Sequence, residues 1–284
     1  MVAMAKYEES KYVGYDGTRM FMANWLPDNM RPRALLVAIH GLGSHGGDLS
    51  TIGEYLAERG IAVFAPDMRG FGHYSGLKGH VMKFDEYVED IQNIMMQVRD
   101  RFLNKLAFLF GSSLGGVNAI RYVIRYPREI DGLVLHSPGV SPIRHVGRGE
   151  YMMGYVLSLL NVKKYVDSEF DYNDATRSPD VAERHSKDPL RFECVTPRFA
   201  IEGLRAAREA FESAELIQMP VLLQQAGDDK LVDPTAVKQF FERLGSPNKT
   251  WHLYEGLYHE LHEEPEREQV LKDLMDWFEK RLPT

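Results

Sequence analysis

The chain has 284 residues, 44% of them hydrophobic and 11% aromatic, enough to bury a sizeable core as one large domain or two small ones. Its formal net charge of −7, with both signs interspersed, argues against a nucleic-acid partner and for a soluble protein. Cys194 is the single cysteine, which excludes an intrachain disulfide and a cysteine metal cluster and makes a reducing, cytoplasmic setting the expectation.

The first ten residues, MVAMAKYEES, lack the apolar core of a signal peptide, and no stretch approaches the roughly 20 apolar residues of a membrane span. Residues 7–13 and 19–26 read as two strands joined at Asp16-Gly17, a hairpin. Ala34 to Ile39 is a continuous apolar run, the pattern of a buried strand. It ends in His40-Gly41-Leu42-Gly43-Ser44-His45, a glycine-bearing turn able to present backbone N–H groups. His40 and His45 read as residues that shape this turn by hydrogen bonding. Thr51 and Glu54 have capping-box spacing for a helix running to about Arg59 and closed by Gly60. Ile61 to Ala65 is the next strand. The glycine-rich loop after it, Pro66 to His73, lacks phosphate-loop spacing and reads as a shaped turn. Apolar residues from Phe84 through Phe102 keep helical spacing, which predicts a core-facing helix.

Leu106 to Ala119, LAFLFGSSLGGVNA, is the stretch around which the rest is organised. A short apolar run breaks at Gly111, two serines follow, and a helical pattern begins after Gly116. This is strand, tight turn, helix, and it fits G-x-S-x-G, the nucleophile elbow. Glycines two residues before and after the serine let strand and helix approach without Cβ clashes. That spacing selects Ser113, flanked by Gly111 and Gly115; Ser112 would need glycine where Phe110 and Leu114 stand.

Gly132 to His136 is a further strand, and the next clear one is Val221 to Gln225. A simple crossover needs far fewer residues than lie between them, so roughly Ser137 to Ala214 reads as an insertion. The expected organisation is a core of 1–136 and 215–284 with a mainly helical cap at 137–214. Tyr151 to Leu160 is apolar nearly all round: either a buried helix or an adaptable, methionine-bearing lid over a pocket. Asp167 to Pro189 reads as exposed loop with short helical pieces, and Arg198 to Phe211 as a helix returning to the core. Asp233-Pro234 reads as an N-cap with proline at N1. Asp228 and Asp229 lie in the loop at a strand's C-terminal end, where ligands and catalysis gather in open α/β sheets. Lys249 to Tyr254 is the last strand, followed by a loop bearing His259 and a helix from about Pro265. His252 falls within the strand pattern, and His262 nearer the cap of the final helix. Strands alternating with helices predict an α/β fold: a mostly parallel sheet with helices on both faces.

Ser113, an aspartate after a late strand and His259 after the last one follow the chain order Ser…Asp…His. Spacing alone leaves Asp228 and Asp229 open for the middle role. The segments His40–His45, Pro66–Gly76, Gly111–Gly116, Ser186–Leu190, Leu222–Pro234 and Tyr254–Pro265 resemble the monoacylglycerol lipase and lysophospholipase family of α/β-hydrolases. The resemblance covers nearly the whole chain. It implies the α/β-hydrolase fold, hydrolysis of carboxylic esters, and a triad of Ser113 as nucleophile, His259 as base and Asp229 as its orienting acid. It places the oxyanion donors at the N–H groups of Leu42 and Leu114. Ser112, Met152, Met153 and Val156 are the expected substrate-pocket residues. The chain has Ser112 where the family usually has histidine and Leu114 where it often has methionine, so acyl preference stays open. No metal or cofactor is implied. The expected partners are a small ester or lipid, with transient membrane-surface contact through the cap and no nucleic acid; the oligomeric state is unknown. The rival readings are a lysophospholipase or small-ester carboxylesterase with the same triad, amide hydrolysis with Glu169, Asp171 and Asp174 as anchors for a substrate amine, and a non-catalytic binder on the same scaffold.

Overall fold

The computed structural model describes residues 5–28, 31–141, 146–166 and 170–282. Eight strands form one sheet: β1 (Ala5–Val13), β2 (Arg19–Pro27), β3 (Ala34–Ile39), β4 (Ile61–Pro66), β5 (Leu106–Ser112), β6 (Gly132–His136), β7 (Val221–Ala226) and β8 (Lys249–Tyr254). Their spatial order is β1-β2-β4-β3-β5-β6-β7-β8. β1 pairs antiparallel with β2, and β2 antiparallel with β4; every other pairing is parallel. The sheet is therefore mostly parallel, and the continuous apolar runs of β3, β4 and β6 are buried throughout, as covering both faces of a parallel sheet requires.

The helices interleave with the strands as α1 (Ser50–Ala57), α2 (Asp85–Arg101), α3 (Leu114–Arg125), α4 (Arg148–Leu159), α5 (Tyr172–Ala175), α6 (Pro179–Lys187), α7 (Pro197–Glu212), α8 (Pro234–Arg243) and α9 (Arg267–Glu279). The two-residue period of the strands sorts the core into two layers. Leu35, Val37 and Ile39 pack with α2, α3 and α8; Leu36 and Ala38 pack with α1 and α9 on the other face. α2 buries Tyr87, Val88, Ile91, Ile94, Met95 and Val98, the stripe its spacing predicts. Four helices, α4 to α7, occupy the stretch between β6 and β7.

Two sequence expectations change here. The helix after the first loop is not opened by Thr51 and Glu54. A short 3₁₀ turn, Gly46–Leu49, comes first, and its capping box is His45 with Asp48. α1 follows directly, leaving Thr51 inside the helix, where its hydroxyl donates to Glu263 Oε1 at 3.2 Å. The second concerns Tyr151 to Leu160, which is not a buried helix. α4 packs on α7 but leaves Met152, Leu159 and Leu160 on the surface at 59%, 61% and 70% exposure. No described helix is long and apolar enough to cross a membrane.

Candidate active site

The centre of the sheet's C-terminal edge is built by the turn from β5 into α3. Ser113 is the residue between them, with φ 53° and ψ −120°, a conformation that L-residues rarely hold. The strain persists because the surroundings define it closely. The Ser113 N–H donates to His136 O at 3.0 Å, and Ser113 O accepts from the N–H groups of Gly116 and Gly139, each at 2.9 Å. The glycines answer to contact distance: a Cβ at Gly111 would overlap the Gly115 carbonyl, and one at Gly115 would overlap those of Ile39 and His40.

The loop after β3 lies against this turn. A Cβ on Gly41 would sit 3.2 Å from Ser113 Cβ. Leu42 follows Gly41, and Leu114 is the first residue of α3, where an N–H has no intrahelical acceptor. Neither N–H donates to an acceptor among the described residues. His40 anchors the loop from beneath: its Nε2 accepts from the Met68 N–H at 2.9 Å, and its Nδ1 donates to Gly41 O at 2.8 Å. Burial pushes its pKa down to about 4, so it is neutral and structural. His45 is likewise committed, accepting from Gly47 N at Nδ1 and meeting Asp188 Oδ2 at Nε2, 3.1 Å away.

His259, on the loop after β8, and Asp229, on the loop after β7, meet in the buried interior. His259 Nδ1 is 2.8 Å from Asp229 Oδ2 and 3.0 Å from Oδ1. Asp229 also accepts from the backbone N–H groups of Leu231 and Val232 and from Gln225 Nε2. Asp228 is exposed and contributes only its N–H, to Leu257 O. Burial works to lower the His259 pKa, but the charge and hydrogen bond of Asp229 outweigh it and leave the imidazole raised. Burial likewise works to raise Asp229, and the facing His259 holds it below the ordinary carboxylate value. His259 Nε2 is buried and has no hydrogen-bond partner among the described residues.

Ser113, Leu42, Leu114 and His259 all line one cavity of about 580 Å³. Its walls are apolar over most of their extent, with Leu157, Phe199, Ile201 and Leu204 from α4 and α7. One part is polar, formed by Asp48, Arg191, Glu260 and His262. Of the expected pocket residues, Ser112 and Met153 line it. Met152 and Val156 do not: they sit on the outer face of α4, 59% and 44% exposed, because that face turns away from α7. Of the suggested amine anchors, Asp171 and Asp174 are exposed and away from the cavity, and Glu169 lies outside the described residues. The polar group was not legible beforehand, since Asp48, Arg191 and Glu260 come from three separate stretches of chain with no shared spacing.

His45, Asp48 and Asp188 bring potential metal-ligand atoms within 4.8 Å of one another. Their lone pairs and protons are already engaged, however. His45 Nδ1 accepts from Gly47, so Nε2 carries the proton, and Asp48 is held by Arg191 at 3.0 Å and Ser44 Oγ at 2.5 Å.

Residues 30–266 match the family described as serine aminopeptidase, S33. The chain belongs to this family. It is an α/β-hydrolase and a carboxylic-ester hydrolase. It is 35% identical over 254 residues to the phospholipase YtpA of Bacillus subtilis, covering 88% of this chain and 96% of that one. It is 27% identical to the monoacylglycerol lipase of Mycolicibacterium smegmatis, over 99% of this chain and all of that one. Among solved structures, the monoacylglycerol lipase of Paleococcus ferrophilus superposes with a TM-score of 0.80 at 27% identity, covering 96% of this chain and 98% of the other.

Proposed function

We propose that this α/β-hydrolase cleaves fatty-acid monoesters of small polyols, monoacylglycerols in particular, through a covalent acyl–Ser113 intermediate. The observation that carries the reading is the cavity itself. It is a largely apolar chamber of acyl-pocket character that Ser113 and His259 line together with the polar residues Asp48, Arg191, Glu260 and His262. Ser113 Oγ attacks the ester carbonyl while His259 Nε2 takes its proton, and Asp229 holds the imidazole through Nδ1–H. The carbonyl oxygen, now negative, receives the N–H groups of Leu42 and Leu114. The tetrahedral adduct expels the alcohol, which takes the proton back from His259. Water, deprotonated by the same imidazole, then releases the fatty acid and restores Ser113.

Two features favour an uncharged leaving group. The cation Arg191 is already paired with Asp48 and Glu260, so no free positive charge faces the cavity from it to receive a phosphodiester. The same ion pairs already engage both carboxylates, which weakens them as anchors for a substrate amine. A lysophospholipid, a small ester and an aminoacyl amide are therefore the rival substrates, in that order. The exposed apolar face of α4 suits brief contact with a lipid surface. A cytoplasmic setting also belongs to this reading, carried by the lone cysteine.

The test is glycerol release from mono-oleoylglycerol by the protein and by Ser113→Ala, beside a short-chain nitrophenyl ester and a lysophosphatidylcholine. Fast release, lost in the variant, is the expected result. Full activity in Ser113→Ala would end the mechanism, and preference for the lysophospholipid would move the substrate class.

A further inference from the structure

Arg191 is 8% exposed and belongs to the stretch joining α6 to α7. All its charged contacts converge on one nitrogen. Nη2 lies 3.0 Å from Asp48 Oδ2, 3.3 Å from Glu260 Oε1 and 3.4 Å from His185 Nε2. Asp48 lies in the 3₁₀ turn that follows the loop carrying Leu42, and Glu260 is the residue next to His259. The arginine thus ties together the two loops that bear the candidate oxyanion donor and the candidate base.

Neighbouring residues grip the same two loops. Toward the oxyanion loop, the Phe192 N–H donates to Gly43 O at 2.9 Å, and Asp188 Oδ2 meets His45 Nε2 at 3.1 Å. Gly43 takes φ 74°, and the backbone of Phe192 and Glu193 lies so close that a Cβ there would come 3.4 Å from Glu193 Cα. Toward the histidine loop, the Glu260 N–H donates to Ala175 O at 2.8 Å, and His185 Nδ1 lies 3.3 Å from Glu260 Oε2. Burial would raise the Glu260 and Asp48 carboxyls; Arg191, His185 and His45 instead keep both ionised. A buried cluster of paired charges of this kind is rigid, because displacing any member leaves another unpaired out of water.

We propose that Arg191 is a positioning residue that holds the Leu42 loop and the His259 loop in their catalytic relation, so that the inserted segment preorganises the site as well as covering it. The inference rests on the roles of Ser113 and His259 proposed above. It differs from a headgroup contact in what it predicts: the loss falls on every ester, whatever its alcohol, and on kcat.

The experiment compares wild type, Arg191→Gln and Arg191→Lys on mono-oleoylglycerol and on a nitrophenyl ester, with the rate of fluorophosphonate labelling of Ser113 as a third readout. In Arg191→Gln, kcat on both esters and the labelling rate fall roughly 10- to 100-fold while KM stays within about twofold, the scale of loss for displaced catalytic groups. Lysine restores most of the rate, since its single nitrogen can meet the three acceptors that Nη2 meets. If Arg191→Gln does not fold, the variant Asp48→Asn/Arg191→Met/Glu260→Gln, which buries no unpaired charge, is read the same way. A raised KM on mono-oleoylglycerol with kcat on the nitrophenyl ester intact would make Arg191 a substrate contact and overturn the proposal. So would a kcat loss that lysine leaves unrepaired. A wild type that fluorophosphonate does not label would instead remove the nucleophile reading, and this one with it.

Discussion

Asp228 and Asp229 are neighbours in the chain and opposites in environment. One is exposed; the other is buried, accepts two backbone N–H groups and faces His259 at 2.8 Å. Asp229→Asn should therefore lower kcat about 10³- to 10⁴-fold by favouring the wrong imidazole tautomer. Asp228→Asn should stay within a few-fold, as surface changes do; comparable losses in both variants would refute the assignment. The same pair sets a pH dependence. The proposed base, His259, must be neutral to accept the serine proton, and Asp229 holds its pKa above the ordinary 6.5 against the opposing effect of burial. The acid limb of kcat/KM should accordingly fall at a pH above 6.5. Stability runs the other way on this limb: the raised imidazole contributes fully below 6.5 and loses its contribution as pH rises through the folded value. The depressed Asp229 contributes above 3.8 and loses its contribution as the solution is acidified through its lower folded value. A pH series of initial rates beside urea titrations separates the two trends.

At the scale of the element, the elbow depends on backbone-to-backbone approach. Ala at Gly115 would press a methyl into the carbonyls of Ile39 and His40, which belong to β3 and its loop and cannot swing aside. Gly115→Ala should lower the unfolding free energy by about 1 to 3 kcal/mol or more. Gly149, exposed in α4 with nothing within 4 Å of its virtual Cβ, is the matching control. There alanine should be neutral or stabilise by up to about 1 kcal/mol, because it improves helix propensity. Equal effects in urea melts would contradict the packing argument. The helix that follows β3 teaches a related point. Ser/Thr-x-x-Glu is a local signal, yet the chain starts turning at His45, whose imidazole caps the 3₁₀ turn while its Nε2 meets Asp188, far along the chain.

At the scale of the whole molecule, the cavity lies where α4 and α7 meet the loops at the C-terminal edge of the sheet. α7 supplies its inner wall through Phe199 and Ile201, and α4 closes it with Leu157 while turning Met152, Leu159 and Leu160 outward. That outward apolar face is the one the proposed contact with a lipid surface would use. Replacing those three outward residues with serine should reduce co-sedimentation with phosphatidylcholine vesicles several-fold, by loss of buried apolar area. Turnover of a dissolved short ester should persist. Unchanged sedimentation would remove the membrane-contact part of the functional reading.

Sequence by itself determined the strands, the long helices and the elbow, since each is encoded by local periodicity and by glycines at fixed offsets: β3, β4 and β6 fall where their apolar runs predict. It also brought Ser113 and His259 forward as candidates, through chain order. The choice between the two aspartates came from resemblance, and it is burial in the folded chain that sets Asp229 rather than Asp228 against the imidazole. Tertiary structure alone decided which face of α4 looks inward, because its residues are apolar nearly all round and offer little amphipathic pattern to orient them. It alone assembled Asp48, Arg191 and Glu260, whose separation along the chain leaves no spacing to read and whose charges become meaningful only once burial strips them of water.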